Sequence, residues 1–130
     1  MTGRIVHFEI PFDDGDRARK FYADAFGWNT AEIPGMDYTM AGTGPTGEQG
    51  MPSEPGYING GMFQRTPDFP SGPVITVDVP DIDAALAKIE QLGGATVSKK
   101  LQVGEMGFAA YFRDPEGNVI GLWETAASGG

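Results

Sequence analysis

Ile5-Val-His-Phe-Glu-Ile10, with the helical stripe that follows it to Gly27, recurs later in the chain as Val74-Ile-Thr-Val-Asp-Val79 with a stripe that ends at Gly93-Gly94. In the first stretch apolar and polar residues alternate, the mark of a strand with one buried face. Val6, Phe8 and Ile10 share one side, His7 and Glu9 the other. Asp16 can cap a helix, and Ala18, Phe21, Tyr22, Ala25 and Phe26 then recur at helical spacing as one apolar stripe. Gly27 ends it as a left-handed C-terminal residue would. In the second stretch Ile75, Val77 and Val79 share a face, opposite Val74, Thr76 and Asp78. Asp81 can cap a helix carrying Ile82, Ala85, Leu86, Ile89 and Leu92. Laying Gly27 on Gly94 without gaps puts Ala18 on Ala85, Tyr22 on Ile89 and Ala25 on Leu92. The helix faces coincide, which is the signature of a duplicated unit.

Three shorter strands are expected after each helix. The first half has them near Asn29–Ile33, Tyr38–Ala41 and Gly60–Phe63, and the second near Ala95–Lys99, Phe108–Phe112 and Val119–Trp123. Asp114-Pro-Glu-Gly-Asn118 joins the last two as a hairpin turn. Gly42 to Pro55 reads as a long turn-rich loop. Its Gly42-Thr-Gly-Pro-Thr-Gly47 lacks the Gly-Lys-Ser/Thr ending of a phosphate loop and no helical pattern follows it. The sequence thus predicts an α+β fold of two βαβββ units, over approximately 4–66 and 72–126 of a single domain. Each half, at about 60 residues, is too short to bury much core alone.

Composition narrows the function classes. The chain has 130 residues, of which 40% are hydrophobic and 21% charged, with a net charge of −9. Nine basic residues scattered along the chain make no basic patch, so nucleic acid is not an expected partner. No apolar run is long enough for a membrane helix and the first residues lack a signal-peptide pattern, so no membrane role is expected. Cysteine is absent, which excludes disulfides, thiolate catalysis and zinc–cysteine sites; a cytoplasmic location is expected by default. The acidity serves solubility or attracts a cationic ligand.

His7 opening a strand, Arg17 through Gly27 as a helix containing Phe21-Tyr22, and Asp114-Pro-Glu-Gly-Asn-Val-Ile-Gly-Leu-Trp123 resemble the vicinal oxygen chelate superfamily of glyoxalases, bleomycin-resistance proteins and extradiol dioxygenases. The resemblance covers nearly the whole chain. It implies that each βαβββ unit forms a curved mixed sheet around a cavity, with the helices on the outer face. It also implies four inward-facing metal ligands, on the first and last strands of each half. Carried over position by position, these fall on His7, on Val74, on Gly121 and near Gly60-Gly61-Met62. Only His7 is of ligand type. It is also the sole histidine, so one chain lacks the donors that usually hold a divalent ion. The expectation is therefore no metal, with a divalent metal as the alternative.

His7 reads either as a half-buried histidine satisfied by backbone or a carboxylate such as Glu9, or as a ligand-contacting or proton-accepting imidazole. Strand parity turns Thr76 and Asp78 inward with Val74, and Val119, Gly121 and Trp123 likewise, while Ile120 and Leu122 face a helix. Trp123 is a packing residue or an aromatic wall. Tyr111 and Phe112 straddle the two faces, and parity leaves open which looks inward. His7, Glu9, Met62, Thr76, Asp78, Tyr111 and Trp123 are the candidate ligand-binding residues, and His7 and Glu9 the best candidates for any catalysis. The leading expectation is a metal-free protein that binds a small organic molecule, cationic or aromatic, as a homodimer. The alternatives are a metal-dependent lyase, isomerase or dioxygenase of the same superfamily, and a structural or partner-binding protein whose cavity is filled by side chains.

Overall fold

A strand, a helix and three more strands form in each half, in a computed structural model that describes residues 3–35, 38–47, 51–67 and 72–126. The first half contains β1 (Ile5–Phe12), α1 (Gly15–Phe26), β2 (Asn29–Glu32), β3 (Tyr38–Gly42) and β4 (Gly60–Gln64). The second contains β5 (Val74–Asp78), α2 (Ile82–Gln91), β6 (Ala95–Val103), β7 (Gly107–Arg113) and β8 (Val119–Thr125). The chain divides into two compact units: His7–Val74, and the segment from Ile75 onward together with the residues before His7. Arg4 joins the second unit because its carbonyl accepts the backbone N–H of Asp78 at 2.8 Å.

The two units share one sheet pattern. In the first, β1 runs parallel to β4, and β4–β3 and β3–β2 are antiparallel. In the second, β5 runs parallel to β8, and β8–β7 and β7–β6 are antiparallel. The mixed sheets and the order of elements are the expected α+β duplication. Strand β6 is longer than its sequence pattern suggests and carries register shifts between Thr96 and Ser98 and between Ser98 and Leu101, the irregularity that bulges produce.

Helix α2 places Ile82 and Leu86 against Ala110 and Leu122, with Val77, Val79, Ala85, Ile89, Phe108 and Phe112 packed around them. Asp81 caps it, accepting the N–H of Ala84 at 3.1 Å, and Glu124 Oε1 accepts the N–H of Ile82 at 2.8 Å. Two of the orphan donors at the helix start are thereby satisfied. Leu92 lies past the last turn and is 70% exposed, so it does not belong to the buried stripe.

Helix α1 departs from its sequence reading in two ways. Its cap is Asp14, whose carboxylate accepts the N–H of Arg17 at 3.1 Å; Asp16 lies inside the first turn. Its sheet-facing row is also rotated from the apolar stripe. Phe21 and Phe26 are 58% and 65% exposed, whereas Ala18, Arg19, Tyr22 and Ala23 are half-buried. Arg19 explains the rotation: its guanidinium donates to Thr39 Oγ1 at 3.0 Å and lies 5.9 Å from the Phe12 ring centroid. The arginine stem thus covers apolar surface that the stripe would otherwise reach. Trp28, just past Gly27 (φ 73°), stacks on Tyr22 at 4.7 Å and meets Phe8 at 5.6 Å. The aligned pairs still match in exposure: Ala25 and Leu92 are both exposed, and Tyr22 and Ile89 are both half-buried.

The Asp114 turn forms as expected. Its carboxylate accepts the N–H groups of Glu116 and Asn118, both at 2.9 Å, and Gly117 takes φ 87°. The hydrogen bonds from Asn118 hold the Asp114 carboxyl below its ordinary range. Replacing Leu86 with Ala is expected to remove about 2–5 kcal/mol of stability in urea denaturation, while Leu92→Ser stays within about 0.5 kcal/mol. Equal losses would mean that the core has been misassigned.

Candidate functional site

Strand alternation puts His7 and Glu9 on the same side of β1. The parallel register sets Glu9 beside Gly61 of β4, and the antiparallel register sets Gly61 beside Met40 of β3. Two residues earlier on β3, on the same face, stands Tyr38. Its phenol reaches back across Gly61 to β1. A Cβ built on Gly61 would stand 2.0 Å from the Tyr38 hydroxyl, so this approach requires the missing side chain.

The hydroxyl lies between the two β1 side chains. His7 Nε2 is 2.8 Å from it, and it donates to Glu9 Oε2 at 2.8 Å. Glu9 is buried, and this bond supplies part of the partnership that a buried carboxylate needs. Burial pushes the His7 imidazole below its ordinary value of 6.5, and the charge of Glu9 opposes that shift more weakly. A ring held neutral and a carboxylate sharing one phenol can orient a polar ligand or move a proton. Tyr38 is not among the site residues that the sequence singles out; the Gly60-Gly61 pair inside a strand pattern signals a close approach there without naming the neighbour that makes it.

The remaining candidates fall elsewhere. Met62 is 0% exposed and shares the helix-side parity of Phe8 and Ile10, so it presents nothing to a ligand. In the second unit Thr76 pairs with Gly121 of β8, which pairs with Tyr111 of β7. A Cβ on Gly121 would meet Thr76 Oγ1 at 2.8 Å and Tyr111 Cε1 at 3.4 Å. Tyr111 therefore lies on the Thr76 face, and Phe112 lies against α2. Trp123 is half-buried, lies over Gly107 and donates its indole N–H to Thr125 Oγ1 at 3.2 Å. Asp78 is half-buried, and its backbone N–H is the donor to Arg4.

Residues 4–44 match the family model of the bleomycin resistance protein-like N-terminal region. A glyoxylase-like domain-containing protein of Didymella fabae is 31% identical over 122 residues, spanning 91% of each chain. The chain belongs to the vicinal oxygen chelate superfamily. A Mycobacterium bovis protein named as a glyoxylase, CFP32, is 29% identical over 120 residues; these cover 89% of this chain and 43% of that protein, so the chain spans less than half of it. Among solved structures, a Streptomyces coelicolor methylmalonyl-CoA epimerase superposes with a TM-score of 0.64 at 20% identity, covering 98% of this chain and 97% of its own. That likeness carries the vicinal oxygen chelate fold.

Within this superfamily the four ligand positions carried over from the resemblance can be compared with the geometry. His7 Nε2 is engaged by the Tyr38 hydroxyl. Val74 is 1% exposed and has no donor atom. The side-chain space at Gly61 is filled by the Tyr38 phenol, and that at Gly121 by Thr76 and Tyr111. Among the described residues no group of three or more His, Cys, Asp or Glu side chains is arranged to hold a metal ion.

Gly61→Ala is expected to force Tyr38 off β1 and cost about 1–3 kcal/mol in urea denaturation. In the double variant with Tyr38→Ala the loss falls well short of the sum; strict additivity would show that the two positions do not interact. The depressed His7 pKa also makes a signed prediction. The folded protein binds the imidazole proton less readily than the unfolded chain, so this contribution to stability is complete above pH 6.5 and is lost as pH falls through the lower folded value. Denaturation midpoints of wild type and His7→Gln should therefore diverge between pH 8 and pH 5.5. Parallel curves would contradict the burial of this ring.

Proposed function

We propose that this chain is a small-molecule binding protein of the glyoxalase and bleomycin-resistance type that works without the superfamily's metal. The observation that carries this reading is the Tyr38 hydroxyl, bonded to His7 and Glu9 in the space where residue 61 would project a side chain. A divalent ion needs several imidazole or carboxylate donors converging at about 2 Å. Here the donors on one strand are bonded through a phenol instead.

The residues around that phenol suit a cationic or aromatic organic ligand. The strands β1 to β4 contain no lysine or arginine, so an anionic ligand would meet the Glu9 carboxylate without a strand cation to offset it. Met40 and Phe63 share the face by alternation and add polarizable apolar surface. The net charge of −9 favours approach of a cation at low ionic strength. A cytoplasmic homodimer belongs to the same reading.

A second reading, a metal-dependent lyase, isomerase or dioxygenase, is favoured by the glyoxylase names of the relatives in Didymella fabae and Mycobacterium bovis. Elemental analysis of protein purified without chelators separates the two, together with thermal-shift screening against aromatic cations. The binding reading predicts metal far below one equivalent and a raised melting temperature with some cationic aromatics. One equivalent of nickel, zinc, iron or manganese would instead establish the metalloenzyme.

A further inference from the structure

We propose that Tyr38 and Glu9 act as positioning residues that lock His7 in the Nε2–H tautomer, so that Nδ1 is a bare acceptor for an N–H or O–H group of the ligand. The inference deepens the binding reading above by naming the atom that would receive the ligand and the chemistry it selects.

Counting hydrogens assigns the tautomer. A tyrosine hydroxyl has one hydrogen to give, and a carboxylate can only accept. The Tyr38 hydroxyl gives its hydrogen to Glu9 Oε2 at 2.8 Å. Its oxygen can then engage His7 Nε2, also at 2.8 Å, only by accepting from it. Nε2 therefore carries the ring hydrogen. A neutral imidazole has one such hydrogen, so Nδ1 is left with its lone pair.

Among the described residues no side chain is hydrogen-bonded to that nitrogen. The only side-chain hydrogen bond of His7 among the described residues is the one to Tyr38, and the ring stays half-buried rather than sealed in the core. Its other ring contact is Phe8, at 6.5 Å between centroids. The opposite arrangement would have the phenol donate to Nε2 and a protonated Glu9 donate to the phenol. It would put the hydrogen on Nδ1 and select a ligand acceptor instead. That arrangement carries one proton more, on Glu9, and turns the phenol hydrogen toward Nε2, so the two choose opposite ligand chemistries.

The test uses nitrogen-15 NMR of the full chain at pH 8, where His7, the sole histidine, gives one pair of ring resonances. The wild type is expected to show one tautomer with the proton on Nε2. Tyr38→Phe removes the acceptor and should give a tautomer mixture. Glu9→Gln keeps the side-chain shape but lets an amide donate to the phenol, which frees the phenol hydrogen for Nε2. It too should shift population toward Nδ1–H. A wild-type ring protonated at Nδ1, a mixed wild type, or a ring unchanged in both variants would overturn the relay.

Ligand chemistry is read on the same resonances with benzylammonium and benzoate as probes. Benzylammonium is expected to move the Nδ1 signal upfield while benzoate leaves it in place; the reverse order overturns the stated ligand class. If neither probe moves a signal that has the expected tautomer, the ligand role of Nδ1 fails while the relay stands. Failure of the binding reading and failure of the tautomer assignment are thus told apart.

Discussion

A phenol can stand between His7 and Glu9 only because residue 61 has no side chain. That constraint lets one pair of hydrogen bonds join β1 to β3 across β4. The parallel pairing of β1 with β4 fixes Glu9 against Gly61, and the antiparallel pairing of β3 with β4 brings Tyr38 to the same face. The Ile75-onward unit repeats the arrangement with different chemistry. Thr76, the residue aligned with Glu9, pairs in parallel with Gly121, and its hydroxyl and the Tyr111 ring fill the space above that glycine. In each half a glycine stands at or beside a position where the superfamily resemblance implies a donor, and a neighbour's hydroxyl or ring fills the space it leaves.

A phenol in place of a metal would change what the face can recognise. A metal would offer a ligand a strong Lewis acid; a phenol, a neutral imidazole and a carboxylate offer directional hydrogen bonds and a negative charge. The buried carboxylate is compatible with the fold because it is hydrogen-bonded, and the imidazole is compatible because burial keeps it neutral. Both β1 side chains are hydrogen-bonded to the tyrosine delivered from β3.

Much of the architecture was legible because it is local. The alternation from Ile5 to Ile10, the Asp81 cap and the Asp114 turn each follow from contacts a few residues apart, and the duplication shows in two helical patterns of matching phase. The misses come from interactions that no local pattern encodes. Asp14 and Asp16 are both acceptable caps by residue type, and only the backbone geometry selects Asp14. Arg19 turns α1 so that Phe21 and Phe26 face outward, which depends on Thr39 and Phe12 in other elements. Tyr38 lies 31 residues from His7 in sequence, and their meeting rests on a cross-strand register that composition does not reveal. The glycine pair at 60 and 61 was visible in the sequence, but the neighbour that fills its space was not.

Anomalous diffraction from crystals of the full chain grown with nickel, and separately with manganese, tests the central claim at the atom concerned. No anomalous peak is expected within coordinating distance of His7, with the Tyr38 hydroxyl still bridging to Glu9. A well-ordered peak on the imidazole, with Tyr38 swung away from Gly61, would contradict it.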